Sequence, residues 1–197
     1  YTGNVKFEDG SRTAWQCLAT ENGDGTFSKT GPVLALPKGY TGHVRDPKVW
    51  QHEGRWFMVL GAQDLQKRGK VLLFSSADLH QWEAAGEIAG SDLNGLRDAG
   101  YMWECPDLFP LANQHILICC PQGIAREADR YLNTYPSVWT AGRFDYASAR
   151  FDHGALYELD AGFEFYAPQT MLAADGRRLL VGWMGVPDGE EMRQPTL

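Results

Sequence analysis

Short runs of apolar, β-branched and aromatic residues alternate along the chain with clusters of Gly, Asp and Asn. "AWQCLAT", "PKVWQ", "RWFMVLGA", "KVLLFSS", "HILICCP", "SVWTAG" and "RRLLVGWMG" are separated by turns such as "ENGDG" and "AADGRR". Branched and aromatic side chains suit a pleated, half-buried surface, while Gly, Asp and Asn supply the backbone angles of tight turns. No segment keeps a 3.6-residue period over four turns, so the pattern predicts an all-β chain.

Three longer segments resemble one another. They are "RDPKVWQHEGRWFMVLGA" from Arg45, "ECPDLFPLANQHILICCPQ" from Glu104 and "YAPQTMLAADGRRLLVGWM" from Tyr166. Each carries Pro at its third position, then an apolar strand, a polar turn and a second apolar strand. Pro47, Pro106 and Pro168 lie 59 and 62 residues apart. A unit of about 60 residues suits a four-stranded antiparallel propeller blade with its loops. The other half of the unit recurs too: "LATENGDGTFSKTGPVL" around Phe27 parallels "FSSADLHQWEAAGEIA" around Trp82, with the aromatic residues 55 positions apart.

The repeat therefore predicts a β-propeller with the Pro-marked strand first in each blade, lining the central channel. The 197 residues hold roughly three such blades, whereas propellers close with four to eight. The expectation is an interior piece of a larger propeller, residues 1–197 forming part of one domain. A first residue that is not Met points the same way. The competing reading is a β-sandwich in which the Pro-containing strands are alike by chance.

Composition narrows the partners. A formal charge of −7, with no basic cluster longer than "KRGK", argues against nucleic acid and leaves sugars or other small molecules open. No apolar run reaches 18 residues, so no helix spanning a membrane is expected. The four cysteines lack CxxC or His-paired metal spacing, so no metal site is expected. Cys119 and Cys120 are adjacent within a strand, face opposite ways, and read as buried hydrophobes. Reduced thiols and the absence of an Asn-x-Ser/Thr sequon favour the cytoplasm.

Two neighbouring blades aim a carboxylate at the channel mouth: Asp46, one residue before Pro47, and Glu104, two before Pro106. Paired carboxylates in a partly desolvated pocket are the machinery of glycoside hydrolysis. Glu104, between Trp103 and Cys105, has an apolar setting of the kind that suits a proton donor. Asp46, beside Arg45, is expected to stay ionised and to grip sugar hydroxyls or a developing positive charge. The alternative is structural: an Arg45–Glu104 ion pair, with Asp46 capping a turn.

"HVRDPKVW" and "MWECPDLF" resemble the Arg-Asp-Pro and Glu-Cys-Pro motifs of the family 32 glycoside hydrolases, the invertase and fructanase group. "SSADLHQWE", "GFEFYAPQTM" and "GRRLLVGWMG" resemble further landmarks of that family, in its order, so the likeness runs over nearly the whole chain. It implies a five-bladed propeller that cleaves terminal β-fructofuranosides, among them sucrose and sucrose 6-phosphate, with retention and without a cofactor. By the same likeness Glu104 is the acid/base and Asp46 the transition-state stabiliser. Arg45, Tyr166 and Trp183 are implied to line the pocket, with Trp103 as a wall for Glu104. Two departures stand out. The family's nucleophile, the Asp of an Asn-Asp-Pro-Asn motif, has no counterpart here, and neither has the Phe-Ser-Gly stretch that follows it. Glu164 stands where the family has Asp.

Overall fold

A computed structural model describes residues 1–162 and 165–185, and Glu164 lies outside the described residues. Every regular element among the described residues is a strand. A three-stranded antiparallel sheet comes first, from β1 (Thr2–Lys6), β2 (Arg12–Glu21) and β3 (Phe27–Leu34). A four-stranded blade follows, β4 (Tyr40–His52), β5 (Arg55–Asp64), β6 (Gly69–Ser76) and β7 (Glu83–Gly90), in chain order. The third sheet holds β8 (Met102–Leu111), β9 (Gln114–Gln122), β10 (Val138–Asp145) and β11 (Arg150–His153), with β12 (Tyr157–Glu158) also pairing β10. A two-stranded sheet of β13 (Phe165–Leu172) and β14 (Arg178–Met184) completes the described residues.

The meandering order follows from short turns. His52 pairs with Arg55 across Glu53–Gly54, both at positive φ, the two-residue connection whose twist matches that of the strands. Leu111 pairs with Gln114 across Ala112 and Asn113, of which only Ala112 has a positive φ. The Pro-marked strands of the sequence repeat are β4, β8 and β13, and each opens its sheet. The paired hairpins are β2–β3 and β6–β7, with Phe27 opening β3 and Trp82 immediately before β7.

Adjacent blades pack face to face. Phe57, Val59, Val71, Leu73 and Ile88 of one meet Trp103, Leu108, Leu117 and Val138 of the next in one buried cluster. Two glycines allow the approach. A Cβ on Gly61 would lie 2.2 Å from the Trp103 carbonyl oxygen, and one on Gly69 would lie 2.2 Å from Trp103 Cδ1. Trp103 is fully buried there and donates its indole N–H to Ala99 O at 2.6 Å. It does not wall off Glu104, because successive residues of a strand face opposite ways.

The prolines mark a repeated distortion. Pairing slips between Arg45 and Lys48, between Glu104 and Asp107, and between Tyr166 and Gln169. In each case the residue before Pro has a positive φ: 61° at Asp46, 51° at Cys105 and 50° at Ala167. Proline cannot donate to a sheet ladder, and at these three positions it sits at a bulge, which also re-aims the side chains beside it.

Candidate active site

The bulges place blade-equivalent residues side by side in two layers. Two positions before Pro stand Arg45, Glu104 and Tyr166. One position after it stand Lys48, Asp107 and Gln169.

In the first layer Glu104 is the hub. Its Oε1 accepts from Arg45 Nε at 2.9 Å and also from Arg45 Nη2. Its Oε2 accepts from Gln122 Nε2 at 2.8 Å and from the Tyr166 hydroxyl. The apolar setting expected from its neighbours in sequence is thus replaced by four polar donors from three other strands. For Glu104 to give a proton to a substrate oxygen, one of these contacts must yield. The Tyr166 hydroxyl is held firmly as a phenol, since burial and the Glu104 charge raise its pKa well above the ordinary range.

Asp46 sits beside this hub. Its Oδ2 accepts the Cys105 backbone N–H at 3.0 Å, with the Cys105 sulfur 3.7 Å away and Arg45 Nε at 4.0 Å. The Arg45 guanidinium therefore lies between the two carboxylates. Burial pushes the Asp46 carboxyl above its usual range, against the opposing pull of the Cys105 N–H and Arg45. Desolvation outweighs the neighbouring arginine in that shift. Cys105 is no nucleophile, because the Cys120 sulfur, burial and both carboxylates drive its thiol pKa far up.

The desolvated charge makes a prediction. Asp46→Asn raises the unfolding midpoint of the full-length protein at pH 7, because a neutral amide can still accept the Cys105 N–H and tolerates the left-handed backbone. The folded pKa lies above the unfolded one, so the cost of the charge is present above the folded value and disappears below the unfolded one. The gain accordingly shrinks on acidification into the carboxylate range. Thermal unfolding of both proteins across pH checks this, and a gain that grows on acidification contradicts it.

In the second layer Lys48 Nζ is 3.3 Å from Asp107 Oδ2 and donates to Gln169 Oε1 at 3.3 Å and to Thr170 O at 2.5 Å. Asp107 is fully buried, and its Oδ2 also accepts the Thr170 N–H at 2.6 Å. Gln169 in turn donates to Cys105 O at 3.0 Å, steadying the residue whose N–H holds Asp46.

Sequence reasoning singled out Arg45, Asp46, Glu104 and Tyr166, and the structure brings these together. Trp183 pairs with Tyr166 across β13 and β14, but it is 51% exposed and makes no hydrogen bond to the carboxylates among the described residues. The motif "SSADLHQWE" forms a turn: Asp78 Oδ1 accepts the N–H groups of His80 and Gln81, and Trp82 Nε1 donates to Leu79 O. Gln122, His43 and the Lys48 layer went unnoticed in the sequence. Comparing the residue after each repeated Pro would have found Lys48, Asp107 and Gln169; Gln122 depends on the β8–β9 register and left no signal.

Carboxylates and a guanidinium gathered on the inner strands of adjacent propeller blades define a domain of the glycoside hydrolase class. The chain belongs to glycoside hydrolase family 32: the family model described as "Glycosyl hydrolases family 32 N-terminal domain" matches residues 1–196. It is 80% identical over 197 residues to the sucrose-6-phosphate hydrolase of Salmonella typhimurium, covering all of this chain and 42% of that protein. The solved sucrose-6-phosphate hydrolase of Lactobacillus gasseri superposes with a TM-score of 0.86 at 35% identity, over 95% of this chain and 39% of the other. A β-fructofuranosidase of Bombyx mori, solved in complex with sucrose, gives 0.85 at 39% identity over 95% of this chain and 40% of the other. The chain thus spans about two fifths of the length of the relatives it matches.

Proposed function

We propose that the full-length protein containing this chain hydrolyses the terminal β-D-fructofuranoside bond of sucrose or sucrose 6-phosphate by a retaining, two-step mechanism. The observation that carries the reading is the Arg45-bridged pair of Glu104 and Asp46 on bulges of neighbouring blades. The names of the similar proteins support the substrate class.

A carboxylate from a blade outside this chain attacks the anomeric carbon as the glycosidic C–O bond breaks. Glu104 gives its proton to the departing glucosyl oxygen. Water then attacks the fructosyl–enzyme ester, Glu104 takes a proton from it, and the nucleophilic carboxylate leaves. Asp46 grips the fructosyl hydroxyls and stabilises the oxocarbenium-like transition state. Arg45 and Tyr166 hold Glu104 in place, and Trp183 borders the same pocket. The reading includes a five-bladed whole, of which residues 1–197 are an inner part, and a cytoplasmic setting, for which the four free cysteines speak.

Following the reaction of the full-length enzyme with sucrose 6-phosphate by NMR tests it. The fructose released first is the β anomer, and this chain alone releases none. First appearance of the α anomer would exclude retention, and absence of fructose would exclude the hydrolase.

A further inference from the structure

Among the donors that ring Glu104, Gln122 is held by its main chain as well as by its side chain. Glu104 pairs with Cys120 across β8 and β9, and Met102 pairs with Gln122, so Gln122 stands diagonally across from Glu104, within reach of a long side chain. The start of β8 clamps its backbone. The Tyr101 N–H donates to Gln122 O at 2.8 Å, and the Tyr101 carbonyl accepts from Gln63 Nε2 of the preceding blade, also at 2.8 Å. Glycines make this approach possible on both strands. A Cβ on Gly100 would lie 2.5 Å from Gln122 O, and one on Gly123 would lie 2.4 Å from Tyr101 Cδ1; both residues hold a positive φ, 92° and 81°.

The two oxygens of Glu104 meet different chemistry. Oε1 faces Arg45 Nε and Nη2. A guanidinium only donates and keeps its charge, so a proton on Oε1 would meet N–H groups head on. Oε2 faces the Gln122 amide nitrogen at 2.8 Å and the Tyr166 hydroxyl. A hydroxyl can turn from donor to acceptor without losing its proton, so this oxygen has a partner that tolerates protonation. An oxygen of a carboxyl group offers two lone pairs, and Gln122 occupies the one that a proton on Oε2 would leave free.

We infer that Glu104 carries its transferable proton on Oε2, and that Gln122 is the positioning residue for its delivery. The Gln122 N–H stays on Oε2 through the step and aims the O–H of the protonated carboxyl. The Tyr166 hydroxyl gives up its place to the glycosidic oxygen. As the Oε2–H bond breaks and a bond from that proton to the departing sugar oxygen forms, negative charge grows on Oε2. The amide dipole, already in place, stabilises that charge more strongly than it did the neutral carboxyl, which is what lowers a barrier. The inference rests on the hydrolase reading above and deepens it, by assigning the proton to one oxygen and a role to a residue outside the carboxylate pair.

The test uses the full-length enzyme. Values of kcat/KM are compared for sucrose 6-phosphate and for an aryl fructoside, whose phenolate departs without a proton, in the wild type, Gln122→Met, Gln122→Glu, Glu104→Gln and Gln122→Met combined with Glu104→Gln. Removing a hydrogen bond to a developing charge lowers kcat/KM on sucrose 6-phosphate about 10–100-fold in Gln122→Met. The same variant loses far less on the aryl fructoside. The double variant is no slower than Glu104→Gln alone, because Gln122 acts only through the proton that Glu104 holds. Gln122→Glu keeps the size of the side chain but sets an acceptor against Oε2, and it falls at least as far as Gln122→Met. Equal losses on the two substrates, losses that add in the double variant, or a wild-type rate in Gln122→Glu overturn the assignment and leave the hydrolase reading standing. Absence of turnover of both substrates by the wild type sinks the hydrolase reading and the assignment with it.

Discussion

On the hydrolase activity proposed above, Glu104→Gln in the full-length protein lowers kcat about 10²–10⁴-fold on sucrose or its 6-phosphate, with KM little changed. The amide keeps the size of the carboxylate, and its oxygen can still accept from Arg45, whose Nε lies 2.9 Å from Oε1. What it cannot do is pass a proton to the departing glucosyl oxygen and later take one from water. The loss therefore depends on the leaving group. An aryl fructoside, whose phenolate departs without protonation, restores most of the first-step rate, and stopped-flow release of the phenol measures it. An equal deficit on both kinds of substrate would assign Glu104 the structural role, as the partner of Arg45 and Tyr166, that the sequence also allows.

The second large effect lies one layer deeper and concerns stability. Lys48→Met removes the cation facing Asp107, which is wholly buried and whose Oδ1 has no hydrogen-bond partner among the described residues. Leaving one member of a buried pair charged and unmatched costs about 3–5 kcal/mol. The reverse change, Asp107→Asn, costs less, because the Lys48 side chain is 25% exposed and can turn its ammonium to water. Combining the two recovers stability relative to Lys48→Met alone. Urea unfolding of the three variants reads the order directly. Equal losses for the two single variants would show that Asp107 is solvated or otherwise matched.

Such a loss should reach the site as well as the fold. Lys48 donates to Gln169, Gln169 to the Cys105 carbonyl, and the Cys105 N–H to Asp46. The layer beneath thus braces Cys105, the residue whose N–H orients one carboxylate of the pair.

Much of this was open to a reader of the residues. The β-branched runs and Gly/Asp/Asn turns are local properties, and a hairpin such as β4–β5 closes on a two-residue turn in which Gly54 takes its positive φ readily. The spacing of Pro47, Pro106 and Pro168 carried the blade repeat, and the same bulge recurs at each of them. Arg45, Asp46 and Glu104 stood out for that reason, and Tyr166 through the family resemblance.

Side-chain direction and partners were another matter. Alternation along a strand holds only while the pairing is regular, and an extra residue at Asp46, Cys105 or Ala167 resets which face its neighbours take. Gln122 reaches Glu104 through the β8–β9 register, and Trp103 turns to the interblade core against two glycines that lie more than 30 residues earlier in the chain. What the sequence by itself determined is the all-β repeat and the identity of the charged groups on its inner strands. Only the tertiary structure decided that Glu104 is ringed by donors instead of apolar walls, and that burial raises the Asp46 carboxyl against the pull of Arg45. Those outcomes depend on distances between blades, and such distances are set by the packing of one blade on the next, not by any local pattern of residues.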